Sequence, residues 1–396
     1  MDKISELLTR GVDKIYPSRE ALEKVLRSGK KLRLYQGFDP TGTRLHIGHM
    51  TGFRKLRQFQ DLGHHVIFLI GDGTGQAGDP SGKSKARDKF MTRDELRSNA
   101  KDYVMQAKKI VRFDGENPVE ILYNGDWLNK LGLVEILDIA GHFSLQQLEE
   151  RDIFVERKKR GEAVNLREFL YPLLQGYDSV AMKVDLEIGG TDQTFNMLCG
   201  RTLVKAYLKR EKYVLTTPLL TDSIGRKIGK TEGNVIGLTD EPKDFYGKIM
   251  NLSDDVIVKA LEYLTEIPMT EVKEMEINLI KGANPMKFKK LLAFTLTKML
   301  NSEKDAIAAQ KYFEQTVQKH EVPDFLPRYS LSCKTTDIIS ILVDSKSVNS
   351  RSEAKRLVEG KAIELEGKPI TDIKTEVKPG ILKIGKRRFL KLITIN

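Results

Sequence analysis

Apolar residues recur every three to four positions over several stretches, and short runs of almost continuous apolar and β-branched residues lie between them. Helical spacing runs from Ile47 to Leu62, where Gly63 ends it, and again over 93–112, 165–183 and 191–210. The intervening runs "KLRLYQGFD", "HHVIFLI", residues 119–123, "VDLEIGG" and "KYVLTTP" read as strands, and "HHVIFLI" has the character of one buried on both faces. Strand alternating with helix predicts an α/β fold: a parallel sheet with helices on both faces. Residues 1–30 read as two short helices separated by Gly11 and Pro17. After about residue 220 the alternation stops and only helical patterns fill 241–318. "KHEVPDFLPRYSLSCKTT" suits a linker, and the tail from 335 reads as two short helices followed by strands. Within 165–183, Leu166, Phe169, Leu170, Leu173, Leu174 and Tyr177 form an apolar face expected in the core. Tyr171, Gln175 and Asp178, spaced i, i+4, i+7, form a polar stripe roughly 60° wide.

At 396 residues the chain is long enough for two or three domains, and its 40% hydrophobic and 31% charged content describes a globular protein with a sizeable core. The longest unbroken apolar run, Val66 to Ile70, is too short to span a membrane. The acidic N-terminal stretch does not read as a signal or transit peptide, so a cytoplasmic location is expected. Cys199 and Cys333 are far apart, which excludes a disulfide scaffold and a cysteine zinc site and fits a reducing cytosol. Of the net charge of +11, the segment from Leu331 onward carries +6 (14 Lys/Arg against 8 Asp/Glu). That concentration suggests a polyanionic partner, although a solvated lysine-rich surface would look the same.

Four stretches carry candidate chemistry. "GTGQAG" (73–78) fits the dinucleotide pattern GxGxxG after a strand, but Asp79-Pro80 interrupts the helix that should follow. The "GKS" that follows ends like a P-loop, yet Ala77 stands where its first glycine belongs. His46 and His49, two of only six histidines, flank Gly48 at the start of a helix that follows a strand. Such a helix start attracts anions, imidazoles there can donate to phosphate, and Gly48 would let a flat group approach the backbone. Metal binding or plain capping would use the same two residues. "KIGKT" (227–231) places Lys227 and Lys230 on a glycine-flanked loop, suited to charge that develops during reaction, such as a departing pyrophosphate.

Together these stretches resemble a known family. "LHIGHM" is similar to the HIGH signature of class I aminoacyl-tRNA synthetases, and "KIGKT" resembles their KMSKS loop. "LYQGFDPTGTRLHIGH", "GDPSGK", "YPLLQGYD" and "IGGTDQTFN" resemble the bacterial tyrosyl-tRNA synthetases, and "SVNSRSEAKRLVEGKAIELEGKPI" is similar to an S4-type RNA-binding domain. The resemblance implies a Rossmann-like nucleotide-binding domain at 1–222 with a dimer-forming insertion at about 125–160. It further implies a KMSKS-type loop at 223–240, an α-helical anticodon-side domain at 241–320, a linker at 321–334 and a small α+β S4-like domain at 335–396. The implied reaction joins tyrosine to ATP, giving tyrosyl-adenylate and pyrophosphate, and then moves the tyrosyl group to the 3′ end of tRNA-Tyr. Mg²⁺ is implied with ATP; no carboxylate cluster marks a permanent metal site.

By the same resemblance, Tyr171, Gln175 and Asp79 hold the α-ammonium of tyrosine, while Tyr35 and Asp178 bond its phenol hydroxyl. Asp39 lies nearby and Gln193 faces the reacting centre. Thr41, His46, Gly48 and His49 run along the phosphates and ribose of ATP, with Gly190 and Asp192 on the ribose. Lys83, Arg87, Lys227, Lys230 and Thr231 gather around pyrophosphate. Arg351, Lys355, Arg356, Lys386, Arg387 and Arg388 are the implied RNA contacts. Where many family members read SDQWGN this chain has "TDQTFN", and Gln36 beside Tyr35 has no assigned consequence. The competing classes are an NAD-type oxidoreductase resting on "GTGQAG" and a noncatalytic RNA-binding relative. The tryptophanyl-tRNA synthetases share both loops, but Asp178 and Tyr35 favour a phenol over an indole.

Overall fold

The computed structural model describes residues 2–79, 91–149, 152–225, 227–228, 235–318, 326, 328–331, 337–348, 350–373, 375, 377–385 and 388–394. They form two compact units, Met1–Glu303 and Lys304–Asn396.

In the first unit, β1 (Lys14–Tyr16), β2 (Arg33–Phe38), β3 (His65–Ile70), β4 (Glu120–Tyr123), β5 (Leu186–Gly190) and β6 (Tyr213–Thr217) form one sheet ordered β1-β6-β5-β2-β3-β4. Strands β2 to β6 are mutually parallel, and β1 adds to β6 antiparallel. The five parallel strands are those the hydrophobic pattern predicts. The three residues of β1 are too few to show a period, and the sequence reading misses them. Side chains alternate across β2. On one face Phe38 stacks on Phe68 at 4.4 Å, and Phe53 from the helix Met50–Asp61 lies 5.3 Å from Phe38. On the other, Tyr35 packs with Ile67, Leu69, Met182 and Val184. Helices therefore cover both faces. Each such large apolar side chain contributes about 1.5–3 kcal/mol by leaving water.

The strand order reverses between β2 and β5. In open α/β sheets such a switch point leaves a crevice beyond the carboxyl ends of the strands. Here β2 pairs with β3 over six positions but with β5 over only two, Leu34 with Leu186 and Tyr35 with Glu187. Beyond that pair the two strands separate, and a cavity of about 750 Å³ opens.

The helix Leu166–Ala181 corrects one expectation. Leu173 is buried with Ile139, Leu148 and Leu203, but Leu166 and Leu170 are exposed, as are Leu133, Val134, Leu137 and Leu145. Helical periodicity marks an apolar side without saying what covers it. Among the described residues, helices alone fill the stretch from Pro242 to Leu300. The last carbonyls of Ile257–Leu264 are satisfied from outside their helix: Arg10 donates to Leu261, Glu262 and Thr265, and Arg54 donates to Tyr263 at 2.9 Å.

In the second unit, β7 (Arg328–Leu331), β8 (Ile363–Leu365), β9 (Lys368–Pro369), β10 (Gly380–Ile384) and β11 (Arg388–Thr394) form a sheet ordered β7-β11-β10-β8-β9. The helices Ile338–Asp344 and Arg351–Glu359 share its core, built on Ile338, Leu342, Val358, Ile363, Leu382 and Leu390. Residues 328–331 fall inside the segment read as a linker, yet they form β7, parallel to β11. A short edge strand with two polar positions, interrupted by no periodic neighbours, gives little sequence signal.

Candidate active site

The floor of the cavity is where β2 and β5 last touch. Tyr35 is fully buried and its hydroxyl shares a hydrogen bond with Ser179 Oγ at 2.9 Å. Burial raises its phenol well above the usual tyrosine range. Asp178 is also buried; burial pushes its carboxyl well up, against the pull of Asn124 Nδ2 at 3.0 Å and Trp127 Nε1 at 2.8 Å, which donate to its two oxygens. A carboxylate held by two fixed donors keeps room on each oxygen for a further hydroxyl.

One wall is a chain of amide and carboxylate contacts. Gln175 donates through Nε2 to Glu187 Oε1 at 3.0 Å and accepts from Asn196 Nδ2 at 3.1 Å. Asn196 also donates to Gln193 Oε1 at 2.8 Å, and Gln193 Nε2 donates to Asp79 Oδ2 at 2.9 Å. Opposite, the Tyr171 hydroxyl donates to Asp39 Oδ2 at 2.9 Å, and Thr74 Oγ1 donates to Asp39 Oδ1 at 2.7 Å. Carboxylates and amide oxygens facing a small buried space suit a cationic ammonium group.

The other end is built by chain segments far apart in sequence. Ile47 N donates to Ile236 O, and Leu238 N donates to Leu45 O, both at 3.0 Å, so the segment after the lysine loop runs beside the histidine turn. Ile228 N donates to Leu220 O at 2.8 Å, closing the base of that loop. His46 and His49 do not sit on a regular α-helix. They bracket a 3₁₀ turn, Ile47–His49, that leads into Met50–Asp61, and their rings lie 4.1 Å apart. His46 Nδ1 accepts from Gly48 N at 3.2 Å, which leaves the proton of the neutral ring on Nε2, a donor. Gly48 has a nearer reason to lack a side chain than an approaching ligand: a Cβ there would stand 2.9 Å from His46 Cε1. Lys227 Nζ donates to Asp192 Oδ2 at 2.8 Å.

Tyr35, Asp39, Thr41, His46, Gly48, His49, Asp79, Tyr171, Gln175, Asp178, Gly190, Asp192, Gln193 and Lys227 therefore all line one cavity. Lys83, Arg87, Lys230, Thr231, Lys386 and Arg387 lie outside the described residues. Arg351, Lys355 and Arg356 are exposed on the helix Arg351–Glu359, and Arg388 begins β11 with Nη2 3.9 Å from Glu353. The sequence reading missed Asn124, Ser179 and Glu187. Only Glu187 left a signal, as a charged residue inside an otherwise apolar strand. Gln36 also lines the cavity, and its buried Oε1 has no hydrogen-bond partner among the described residues. The glycine segment that fits GxGxxG does not present its amides to a ligand: those of Gly73 and Thr74 donate to Asn124 Oδ1, and Thr74–Ala77 is one short helical turn. Among the described residues no group of three potential metal-ligating side chains stands together. No helix there is long and apolar enough to cross a membrane.

A family model for class I tRNA synthetases (W and Y) matches residues 27–318, and one for the C-terminal domain of SYY-like tyrosine–tRNA ligases matches 318–389. The chain belongs to the class I tRNA synthetases of the tryptophan and tyrosine group. It is 39% identical over 392 residues to the tyrosine–tRNA ligase of Thermotoga maritima, covering 98% of this chain and 96% of that one. It is 37% identical over 392 residues to the tyrosine–tRNA ligase of Aquifex aeolicus, covering 98% of each. Among solved structures, a C-terminally truncated Aspergillus nidulans mitochondrial tyrosyl-tRNA synthetase aligns with a TM-score of 0.66 at 26% identity. That alignment covers 79% of this chain and 93% of that one. The Archaeoglobus fulgidus tyrosyl-tRNA synthetase complexed with L-tyrosine, at 21% identity and a TM-score of 0.63 over 78% of this chain and all of that one, shares the fold.

Proposed function

We infer that this chain is a tyrosine–tRNA ligase whose two steps run in the cavity between β2 and β5. A tyrosine carboxylate oxygen attacks the α-phosphorus of ATP, the bond to the β-phosphate breaks, and pyrophosphate leaves. The terminal ribose hydroxyl of tRNA-Tyr then attacks the acyl carbon and AMP leaves. The attacking carboxylate is already ionised at pH 7, so the first step asks the protein for alignment and charge stabilisation rather than a general base. The observation that carries the reading is that Asp178 and Tyr35 are both buried and both line the cavity, with Asp178 one helix turn from Gln175. The substrate phenol bonds Asp178 and Tyr35, and its ammonium meets Tyr171, Gln175 and Asp79. Gln193 and Asp39 border the carboxylate. A site shaped for a hydroxyl leaves buried groups unsatisfied when phenylalanine enters, and so rejects it.

ATP lies at the opposite end and brings Mg²⁺ as the counterion of its phosphates. His46 and His49 donate to phosphate or ribose, Thr41 and Gly48 border the phosphates, and Gly190 and Asp192 hold the ribose. Lys227, Lys230, Thr231, Lys83 and Arg87 neutralise departing pyrophosphate. The division into a 1–222 nucleotide domain, a 223–240 loop, a 241–320 helical domain and a tail whose sheet includes β7 serves tRNA docking in the last two parts. Arg351, Lys355, Arg356, Lys386, Arg387 and Arg388 contact its backbone. A cytoplasmic homodimer fits the reading. Its support is the exposed apolar set on 125–170, where Leu133, Val134 and Leu166 are 71%, 77% and 74% exposed. Tyrosine-dependent ATP–pyrophosphate exchange, assayed with each amino acid in turn, tests the chemistry. Exchange driven equally by tryptophan or phenylalanine would overturn the assignment of the floor.

A further inference from the structure

Beneath the wall that carries Gln175 lies a buried ion pair, of which Glu187 borders the cavity and Lys212 does not. Glu187 and Lys212 are both buried, at 1% and 0% exposure, and Lys212 Nζ donates to Glu187 Oε2. Lys212 also donates to the Met197 carbonyl at 3.1 Å. Glu187 is the last residue at which β5 pairs with β2, so the carboxylate is fixed to the sheet at the point where the crevice begins. On the side of Gly200 the Lys212 ammonium is tightly packed: a Cβ there would stand 2.4 Å from Nζ and 2.7 Å from Ser179 Oγ.

Burying two charges is costly, and an apolar pair of similar size is often as stable or more so. What the pair does to its neighbour suggests why it is there. A primary amide can face a partner with either its oxygen or its nitrogen. Glu187 meets the Lys212 ammonium through Oε2, and an ion-paired carboxylate is an acceptor only. It therefore takes the Nε2 donor of Gln175, at 3.0 Å, and leaves Gln175 Oε1 as the atom available to other groups. Asn196 Nδ2 bonds that oxygen at 3.1 Å from one side, and an amide oxygen accepts a second bond. An ammonium group needs just such an acceptor. The other carboxylate oxygen is 3.5 Å from Ser179 Oγ, at the outer limit of a hydrogen bond, so it reaches the phenol end through its charge rather than through a strong hydrogen bond.

We propose that the buried Glu187–Lys212 ion pair is a positioning device for the amino-acid site: it locks the Gln175 amide with its oxygen toward the substrate α-ammonium. The proposal rests on reading Gln175 as an ammonium ligand. Neither Glu187 nor Lys212 touches the reacting atoms; both act through Gln175.

The test replaces the pair by apolar residues of similar size, Glu187→Leu with Lys212→Met, in the full chain. Thermal melting first establishes that the variant folds. Pyrophosphate exchange then gives KM for tyrosine and for ATP, and competition by 3-(4-hydroxyphenyl)propionate, which is tyrosine without its amino group, gives an inhibition constant. The expected result is a rise of about tenfold in KM for tyrosine, with KM for ATP and the inhibition constant each within about twofold of the parent. Unchanged KM for tyrosine overturns the proposal. So does an equal loss for tyrosine and the des-amino analogue, because that is the mark of a general loosening. Should the double variant not fold, Glu187→Gln is read by the same ratio, and absence of any preferential loss for tyrosine again overturns it. A parent enzyme without tyrosine-dependent exchange would instead refute the proposed function, an outcome visible before any variant is made.

Discussion

The two ends of the cavity are built differently. At the floor, Asp178, Tyr35 and Glu187 are buried and each is held by fixed partners: Asp178 by Asn124 and Trp127, Tyr35 by Ser179, and Glu187 by Gln175. At the rim, His46, His49 and Lys227 are partly exposed, and the backbone around them is a 3₁₀ turn and a loop base. In the proposed reading, the floor is a prearranged set of partners for the amino-acid side chain, and the rim supplies donors and cations where charge changes as pyrophosphate departs. The difference teaches where each kind of energy is used. Fixed buried partners give recognition, and exposed cations, cheap to keep in water, give transition-state stabilisation once water is excluded.

The sharpest way to break this contrast is at the rim. Lys227→Ala and Lys230→Ala are each expected to slow adenylate formation by about 10²–10³-fold while changing KM for tyrosine little. Single-turnover kinetics measure it, and parallel loss of tyrosine binding would erase the distinction. At the floor, Asp178→Ala should raise KM for tyrosine by about 10- to 100-fold, the cost of a lost hydrogen bond to a charged group. KM for ATP should hold, and preference over phenylalanine should shrink. Outside the cavity, joint replacement of Arg351, Lys355 and Arg356 by alanine should leave exchange intact and weaken tRNA charging. It should also flatten the salt dependence of charging, since fewer phosphate contacts release fewer counterions.

The smallest effect is on stability. Lys55 donates to the Leu7 carbonyl at 2.7 Å, and its amine is held down at about 7 by burial and by Arg54. The unfolded chain, with an ordinary lysine near 10.4, binds more protons between these values. Folding stability should therefore rise as pH climbs from about 7 toward 10. Lys55→Met should remove that part of the slope in urea midpoints taken across this range, with exchange activity at fixed pH near that of the parent.

Much of this was legible without coordinates because periodicity and position report local chemistry. The five parallel strands and the long helices follow from runs such as "HHVIFLI" and from capping and glycine signals. The polar stripe Tyr171, Gln175, Asp178 follows from helical spacing alone. Other features were not legible because they depend on what lies across a gap in sequence. Leu166 and Leu170 look like core until the fold leaves them exposed among the described residues. At Gly48 the fold adds a reason the sequence did not hold: a side chain there would meet the ring of His46. The three-residue β1 and the edge strand β7 are recruited by longer partners and have no pattern of their own.

The sequence by itself determined the five parallel strands, the long helices and most of the side chains on which the proposed site draws, since these are set within a few positions along the chain. The tertiary structure decided which of those residues meet. Sheet order placed a switch point between β2 and β5, and pairing beside the histidine turn brought a loop almost two hundred residues away to the same cavity. It also set Lys212 beneath Glu187, a partnership between two strands' neighbourhoods that no local rule contains. Burial and long-range hydrogen bonds create these relations, and they exist only once the chain has closed on itself.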